Sequence, residues 1–341
     1  MPDFSLPITV LGAGAWGTTL SWMLAGSGHA VRLWCREADL AEEMRTTRRN
    51  GRYRPELELP AALEVHTELE AALAGAEVVV AATPSRFLRG VLESARPHVT
   101  GRPLLISATK GLEEATGLRM SEVIRQVLPA ELPLAALSGP NLSREIALGM
   151  PTVSVAASPD ERIAARAQGI LTTPLFRVYR NCDIIGLELC GALKNVLAIG
   201  AGISEGLGLG ANAKGALVTR GLAEMTRLGL CLGAQPATFW GAAGVGDLVA
   251  TSISHDSRNW NVGWRLARGE SWAEINRGSI SVAEGVYTAQ AARRLGEEHG
   301  IALPLTEAIC SVLLADVPVR RALEQLMTRP EKAEEDWGYG R

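Results

Sequence analysis

The stretch ITVLGAGAWGTTL, residues 8–20, decides the fold. Its first four residues are mostly apolar and predict a short buried strand, and glycines follow at Gly12, Gly14 and Gly17. In a β-α-β unit the first glycine of this spacing permits a tight turn, the second lets a pyrophosphate approach the backbone, and the third lets helix and strand pack closely. The N-terminus of the following helix presents free N–H groups and a favourable dipole to phosphate. The stretch therefore predicts a dinucleotide-binding site.

The segments beyond this stretch alternate between strand-like and helix-like patterns as far as residue 179. Such alternation predicts a parallel sheet with helices on both faces, so residues 1–183 are predicted to form a Rossmann-type, doubly wound α/β domain. Ligands of such sheets lie beyond the carboxyl ends of the strands. Loops of small and polar residues are predicted at that edge, at residues 83–85, 109–111 and 138–141. The predicted strands cover residues 8–11, 30–34, 77–82, 104–107, 134–137, 152–156 and 176–179, with helices at residues 15–27, 85–95, 118–128 and 160–171.

The second half of the chain loses the strand pattern. Residues 184–330 are predicted to form an all-helical domain, followed by a charged tail at residues 331–341. The first helix of this domain, residues 184–203, is apolar on both sides of Lys194 and Asn195. Because a buried lysine costs several kcal/mol unless it is paired or neutralised, Lys194 indicates either a functional site or a structural ion pair on the helix surface. One face of the helix carries this cation among small residues at helical spacing: Gly191, Lys194, Ala198 and Ala201.

Lysine is rare in this chain. Only four of the 34 basic residues are lysine, namely Lys110, Lys194, Lys214 and Lys332. Lysine differs from arginine because it can lose its proton when buried and acts as a compact point charge. The first three lysines are therefore candidate functional residues, and plain sampling is the alternative explanation.

The end of the second strand bears on the choice of dinucleotide. An NAD-specific site usually has an acidic residue there, which binds the ribose hydroxyls. This chain has Cys35, Arg36 and Glu37 in succession. Arg36 can stack on adenine and pair with a 2′-phosphate, which slightly favours NADP, whereas Glu37 keeps NAD possible. The alternative is that Arg36 is a solvated charge at the end of the strand.

Polar residues also stand at predicted helix starts in the second half. Asp247 follows a glycine-rich run and precedes a helix predicted from Leu248, so it is either a helix N-cap or a site residue. Ser257, Arg258 and Asn259 open a further helix. A hydroxyl, a guanidinium and an amide at a helix N-terminus are typical of a phosphate site.

Composition excludes several classes of protein. The net charge of −3 gives no reason to expect a nucleic-acid partner. The five cysteines are scattered and form no CxxC pair, which predicts neither a disulfide framework nor a zinc site. No apolar run is expected to reach the length of a membrane span, which predicts that the chain is not integral to a bilayer. The start, Met1-Pro2-Asp3-Phe4, lacks a basic region and predicts a cytoplasmic protein without a signal peptide.

Taken together, these motifs resemble those of one family, the bacterial NAD(P)-dependent sn-glycerol-3-phosphate dehydrogenases. The sequence departs from the family pattern at Thr19, Ser143 and Gly215, where alanine is common, and at Thr83, which replaces a frequent asparagine. All four residues are small, and none of the changes removes a reactive group. The matching blocks, in order, are GAGAWGT (12–18), TKGLE (109–113), SGPN (138–141), GALKNVLAI (191–199), NAKGALVTRG (212–221), GAAGVGDL (241–248) and SRN (257–259).

The resemblance implies an enzyme that interconverts sn-glycerol 3-phosphate and dihydroxyacetone phosphate by hydride transfer at C2 and supplies glycerol 3-phosphate for phospholipid synthesis. It also implies a fold like that of 6-phosphogluconate dehydrogenase, a homodimer, and no metal. Lys194 and Asp247 are implied to be catalytic, with Lys194 as the proton acceptor. The residues implied to bind substrate are Lys110, Gly139, Asn141, Lys194, Asn195, Asp247, Ser257, Arg258 and Asn259. Those implied to bind the dinucleotide are Gly12, Gly14, Ala15, Trp16, Gly17, Arg36, Lys110, Ser143, Arg258, Val282 and Glu284.

This mechanism is physically reasonable, because a desolvated lysine beside another cation has a lowered pKa and can act as a base. Lys194 with Lys110 as its neighbour would meet that condition. Two alternatives remain. A dehydrogenase of a small hydroxyacid would share the glycine loop but would not need the Ser257-Arg258-Asn259 group, and a dinucleotide-sensing regulator would have no use for a buried Lys194.

Overall fold

The computed structural model describes residues 5–278, 282–331 and 333–334. Two compact units make up the chain, the first from Met1–Thr109 and Met120–Ile184 and the second from Lys110–Arg119 and Ile185–Arg341. Lys110 therefore belongs to the second unit, although the chain on both sides of its segment belongs to the first. The predictions for residues 1–4, for Lys332 and for most of the charged tail concern residues outside the described ones.

The first unit is built on one eight-stranded sheet with the order β3-β2-β1-β4-β5-β6-β7-β8. The order reverses between β1 and β4, which is the position where doubly wound sheets bind their ligands. The strands are β1 (Pro7–Leu11), β2 (Ala30–Trp34), β3 (Glu64–His66), β4 (Val78–Ala81), β5 (Leu104–Ser107), β6 (Leu134–Ser138), β7 (Thr152–Ala157) and β8 (Phe176–Asn181).

Helices connect these strands, and their buried faces complete the core of the first unit. Strands β4, β5 and β6 are buried at every residue, as expected of strands covered on both faces. The helices are α1 (Ala15–Gly26), α2 (Ala38–Thr47), α3 (Leu69–Leu73), α4 (Ser85–Ala95), α5 (Met120–Val127), α6 (Ser143–Ala147) and α7 (Glu161–Leu171), with a short 3₁₀ turn at Arg96–His98.

The prediction of a wholly parallel sheet was wrong at one pair of strands. Strand β7 runs antiparallel to β6, and the remaining pairs are parallel. The connection from β6 to β7 contains only α6, a helix of five residues. The chain enters β7 at the edge of the sheet where β6 ends and runs back alongside β6.

The second unit is helical throughout its described part, apart from an isolated bridge between Leu112 and Arg119. The end of the strand pattern near residue 183 is thus confirmed. The helices are α8 (Ile184–Gly206), α9 (Gly210–Cys231), α10 (Pro236–Phe239), α11 (Asp247–Ile253), α12 (Arg258–Ala267), α13 (Trp272–Arg277), α14 (Glu284–His299), α15 (Pro304–Leu314) and α16 (Val319–Met327), with a π-helical turn at Ala242–Gly246 before α11.

Helix α8 corrects the prediction about apolar length. It has 23 residues and a mean hydropathy of 1.6, which by length and composition is enough to cross a membrane. The prediction was wrong although the helix predicted at residues 184–203 already has about the length of a membrane span. In the structure, however, 94% of the apolar window is buried inside the protein, so α8 is placed as a core helix.

Two glycines allow α8 and α12 to cross in close contact. A Cβ atom at Gly202 would lie 1.9 Å from the carbonyl oxygen of Trp260, and one at Gly263 would lie 1.9 Å from the carbonyl oxygen of Ile199. Neither distance is possible for a real side chain, so this backbone approach requires glycine on both helices. The crossing fixes the start of α12, at Arg258, relative to α8.

Candidate active site

The glycine loop of the first unit has the geometry that a pyrophosphate requires. Gly12 has a φ of +114°, a conformation that other residues rarely adopt. A Cβ at Gly17 would lie 1.8 Å from the carbonyl oxygen of Gly12, so the third glycine is needed for helix–loop packing. A Cβ at Gly14 would meet nothing within 4 Å, which leaves open space beside that backbone. Gly12 and Gly17 thus have the turn and packing geometry predicted from the sequence, and the open space beside Gly14 would admit a pyrophosphate.

Helix α1 begins directly after this loop and leaves its N-terminus available. Its N-cap is Gly14, no side chain caps it, and its first turn contains no acidic residue. Ala15 is the first helical residue, and the indole of Trp16 donates a hydrogen bond to the carbonyl of Ala108 at 3.2 Å. An uncapped helix N-terminus next to a glycine loop is suited to bind an anion. These features fit a dinucleotide.

Asn50 supports the glycine loop and was missed by the sequence analysis. Its buried side-chain amide donates to the carbonyl of Ala13 at 2.9 Å and to the hydroxyl of Thr18 at 2.8 Å. Its side-chain oxygen accepts a hydrogen bond from the backbone N–H of Tyr53. Asn50 lies 37 residues from Ala13 in the sequence, in a turn with no motif of its own, so no local pattern could have indicated this contact.

The carboxyl edge of the sheet carries polar atoms that have no partner among the described residues. The hydroxyls of Thr83, Ser107 and Ser138 are buried and unpaired, as is the side-chain oxygen of Asn141. Buried polar atoms are nearly always hydrogen-bonded, so such a group indicates a place where a ligand can bind. Gly139 has a φ of +142°, and a Cβ there would lie 3.0 Å from the Cα of Ser154.

Arg36 and Ser143 are engaged with neighbouring side chains. Arg36 forms a 2.8 Å ion pair with Glu37, lies 5.6 Å from the centre of the Phe87 ring, and is exposed. The hydroxyl of Ser143 accepts a hydrogen bond from Arg54. A planar guanidinium exposed beside an aromatic ring can bind an adenosine phosphate once it exchanges Glu37 for the phosphate.

The second unit contains a cluster of two lysines and one aspartate, in which Lys194 and Asp247 are buried and Lys110 is half-buried. The amine of Lys194 lies 3.0 Å from Oδ1 of Asp247, and the amine of Lys110 lies 2.8 Å from Oδ2. The side chain of Asp247 is 1% exposed and that of Lys194 is 8% exposed. The surface ion pair considered as an alternative for Lys194 is thereby excluded, because the pair is buried.

Burial and charge set the protonation of this cluster. Burial lowers the pKa of Lys194 to about 8; Asp247 opposes the change, and the charges of Lys110 and Arg258 add to it. Burial alone would raise the pKa of Asp247, but the two lysines outweigh it and hold that pKa below the ordinary range. Lys194 can therefore exchange a proton near neutral pH while Asp247 stays ionised.

Thr251 completes the cluster and was missed by the sequence analysis. Its hydroxyl accepts a 2.7 Å hydrogen bond from the amine of Lys194 and donates one of 3.1 Å to Oδ1 of Asp247. Asp247 and Thr251 stand four residues apart on α11, so both face Lys194. Helix α11 begins at Asp247 itself, with Gly246 as N-cap, so the alternative of Asp247 as an N-cap is wrong.

The three residues at the start of α12 differ in exposure and in their hydrogen bonds. Ser257 caps the helix, its hydroxyl accepting from the N–H of Trp260 at 3.3 Å, and Arg258 is exposed. Asn259 is buried and donates to the side-chain oxygen of Asn195 at 3.0 Å, while its own oxygen accepts from the N–H of Gly285 at 2.9 Å. Asn195 and Asn259 thus tie together α8, α12 and α14.

Three further residues of the second unit that were singled out from the sequence are Val282, Glu284 and Lys214. Val282 and Glu284 lie at the start of α14, next to residues 279–281, which are outside the described part. Lys214, the third lysine, forms an ion pair with Glu205. Within the described residues, no group of three or more His, Cys, Asp or Glu side chains is arranged to hold a metal ion.

Comparison with known proteins identifies the family. A family model described as the N-terminus of NAD-dependent glycerol-3-phosphate dehydrogenase matches residues 7–164, and one described as its C-terminus matches residues 183–324. The chain belongs to the NAD-dependent glycerol-3-phosphate dehydrogenase family. The match of both models confirms the resemblance stated from the motifs.

Individual relatives cover nearly the whole chain. It is 50% identical to glycerol-3-phosphate dehydrogenase [NAD(P)+] of Geobacter sulfurreducens over 96% of this chain and 98% of that one. The crystal structure of glycerol-3-phosphate dehydrogenase from Coxiella burnetii has a TM-score of 0.92 and 38% identity, covering 96% of this chain and 100% of that one. A ketopantoate reductase structure from Ralstonia eutropha, with a TM-score of 0.58, 16% identity and coverage of 94% and 99%, shares the fold alone.

Proposed function

We propose that this chain interconverts sn-glycerol 3-phosphate and dihydroxyacetone phosphate, with NAD or NADP as the hydride carrier. The observation that carries the proposal is the Lys194–Asp247–Lys110 cluster, in which burial lowers the pKa of Lys194 to about 8. Relatives that carry this activity in their names match the chain over 96% of its length. The glycine loop of the first unit supplies a dinucleotide site.

Lys194 is proposed to be the group that moves the proton. When bound, the nicotinamide supplies a hydride acceptor or donor. In oxidation the neutral amine of Lys194 takes the proton of the C2 hydroxyl as the hydride leaves C2, which yields the ketone. In reduction the protonated amine polarises the C2 carbonyl and donates that proton. A positioned general base or acid of this kind contributes roughly 10²- to 10⁴-fold to rate.

Asp247 and Thr251 are proposed to orient Lys194. The carboxylate of Asp247 lies 3.0 Å from the amine of Lys194, and the hydroxyl of Thr251 accepts a 2.7 Å hydrogen bond from it, which restricts the direction of the remaining N–H or lone pair. Asp247 also holds the charge of Lys110 at 2.8 Å. The carboxylate thus keeps two cations close together, which favours loss of a proton from the more deeply buried of them.

The remaining site assignments are proposals as well. The phosphate of the substrate is proposed to lie against Ser257 and Arg258 at the start of α12. The substrate residues are Lys110, Gly139, Asn141, Lys194, Asn195, Asp247, Ser257, Arg258 and Asn259. The dinucleotide residues are Gly12, Gly14, Ala15, Trp16, Gly17, Arg36, Lys110, Ser143, Arg258, Val282 and Glu284. Arg36 tilts the proposed preference toward NADP.

The cellular setting is proposed from the resemblance. In that setting the enzyme works in the reducing direction in the cytoplasm, supplies glycerol 3-phosphate for phospholipid synthesis, and assembles as a homodimer. Light scattering of the purified chain measures the mass directly, and a monomer at micromolar concentration would remove the dimer from the proposal.

A spectrophotometric assay tests the proposed activity. Dihydroxyacetone phosphate is added to the enzyme with NADH or with NADPH, and oxidation of the cofactor is followed. We expect substrate-dependent oxidation, and we expect no comparable rate with a small 2-oxoacid such as pyruvate, which lacks the phosphate. Turnover of the oxoacid with none of the triose phosphate would replace the proposal by the hydroxyacid alternative.

A further inference from the structure

The segment Lys110–Arg119 leaves the first unit and packs into the second. It delivers Lys110, whose amine lies 2.8 Å from Asp247. Lys110 is a flexible side chain at the start of this ten-residue segment. Unless other contacts fix the segment, the position of Lys110 relative to Asp247 would fluctuate. Contacts at the other end of the segment fix it in place.

The main anchor is a buried ion pair between Arg119 and α8. Nη1 of Arg119 lies 2.8 Å from Oε2 of Glu188, and the side chains are 14% and 5% exposed. Glu188 stands six residues before Lys194 on the same helix, about 9 Å along its axis. An isolated charge at such a depth is costly, so each partner strongly holds the other in place.

The segment folds back on itself, which links this anchor to Lys110. Arg119 forms an antiparallel bridge with Leu112, two residues after Lys110. The N–H of Glu113 donates to the carbonyl of Leu118 at 2.9 Å, and the N–H of Gly117 donates to the carbonyl of Glu113 at 2.8 Å. Fixing Arg119 therefore fixes the backbone that carries Lys110.

Helix α14 holds the tip of the segment from another side. Nη2 of Arg294 donates a 2.8 Å hydrogen bond to the carbonyl of Glu114. Gly117, with a φ of +74°, packs on the side chain of Leu295. The segment is thus held at its tip by α14 and at its end by α8.

We propose that the Arg119–Glu188 pair is a positioning device that fixes Lys110 on Asp247 and thereby completes the two-cation arrangement around the catalytic carboxylate. The proposal rests on the proposed function in so far as Lys194 is the proton carrier. The charged groups around Lys194 are Asp247, Lys110 and Arg258. Loosening Lys110 removes one repelling charge and leaves Asp247 freer to pair with Lys194, and both effects favour the protonated amine.

The test measures protonation of Lys194 without using activity. Reductive methylation with formaldehyde modifies only the neutral amine, and the chain has only four lysines, so mass spectrometry can follow Lys194 separately. For wild type, we expect methylation of Lys194 to rise with pH around a midpoint of about 8. For Glu188→Gln, which keeps the shape but removes the charge, we expect the midpoint to rise by about one pH unit, a tenfold change in proton affinity.

A double-mutant cycle separates positioning from a merely structural role. In a Lys110→Met background, Glu188→Gln should cause no further shift, because its effect acts through Lys110. The matched control is Glu297→Gln, which removes an exposed ion pair with Arg293 and should leave the midpoint unchanged. If Glu188→Gln does not fold, Arg119→Lys takes its place, since it keeps the charge but shortens the reach.

The results overturn the proposal if the midpoint of Lys194 is the same in wild type and in a folded Glu188→Gln or Arg119→Lys variant. The proposal is also overturned if Glu188→Gln shifts the midpoint of Lys194 equally in the wild-type and the Lys110→Met backgrounds. Because this readout needs no turnover, a shifted midpoint in an enzyme without glycerol-3-phosphate activity would refute the proposed function and leave the positioning role standing.

Discussion

The chemistry of the second unit depends on one amine. Lys194 is buried among small and apolar residues of α8, yet it touches a carboxylate and a hydroxyl. Burial is the largest cause of its lowered pKa, and the carboxylate keeps that pKa from falling further. The balance leaves the amine able both to accept and to donate a proton near neutral pH.

Replacing this amine tests its role. Lys194→Ala should lower turnover by roughly 10²- to 10⁴-fold, because it removes the proton carrier. Binding of the reduced dinucleotide, followed by fluorescence titration, should change little, since the glycine loop lies in the other unit. Lys214→Ala is the matched control and should keep nearly full turnover, because Lys214 forms its ion pair with Glu205. Retention of more than a small fraction of activity by Lys194→Ala would reject Lys194 as the base.

Arg36 carries the expected preference between the two dinucleotides. Arg36→Ala should raise the KM for NADPH much more than the KM for NADH, because only NADPH has the 2′-phosphate that a guanidinium binds. Steady-state kinetics with both cofactors measures the ratio. Equal effects on the two KM values would mean that Arg36 is a solvated charge paired with Glu37.

Single residues explain how far sequence alone could describe the site. Lys110, Lys194 and Asp247 were predicted because lysine is rare in this chain and because the motifs resemble a family. Thr251 and Asn50 were missed because threonine and asparagine are common, and their roles arise from contacts with residues distant in sequence: Thr251 bonds to Lys194, 57 residues away.

At the scale of elements, the crossing of α8 and α12 positions the residues proposed to bind the phosphate, Ser257 and Arg258. Gly263→Ala places a methyl group 1.9 Å from a carbonyl oxygen of α8, so the helices must separate. We expect a loss of about 1–3 kcal/mol or more in the free energy of unfolding, measured by urea titration, and a raised KM for the phosphate substrate. The KM should rise because α12 begins at Arg258.

Gly215 provides the control for this change. It lies inside α9, and a Cβ there meets nothing within 4 Å. Gly215→Ala should therefore stabilise the protein by about 0.4–1 kcal/mol, because alanine loses less backbone entropy on folding. Equal effects of the two substitutions would show that the glycine at the crossing is not required for packing.

Most elements followed from hydrophobic pattern, and the exceptions have physical causes. Strand β3, Glu64–His66, was missed because three residues are too short to show alternation. The antiparallel direction of β7 was missed because it depends on the path of the connection from β6 and not on the strand's own residues. The first and last residues of strand β2 and helix α4 were predicted correctly, because turn residues lie close to their ends.

At the scale of the whole molecule, the chain distributes its tasks between two units. The glycine loop and the unpaired polar edge belong to the first unit, and the cluster proposed to transfer the proton belongs to the second. The second unit is not continuous in sequence, because it includes Lys110–Arg119, which interrupts the sequence of the first unit. A pattern read along the chain places such a segment with its sequence neighbours, and only the folded contacts assign it to the other unit.

The central claim is that a lysine with a pKa of about 8 transfers the proton. The most direct test is the pH dependence of kcat in both directions with the wild-type enzyme. Oxidation of glycerol 3-phosphate needs the neutral amine, so its kcat should rise with pH through about 8. Reduction of dihydroxyacetone phosphate needs the protonated amine, so its kcat should fall through the same pH. Profiles that are flat around pH 8, or that change in the same sense in both directions, would contradict the account.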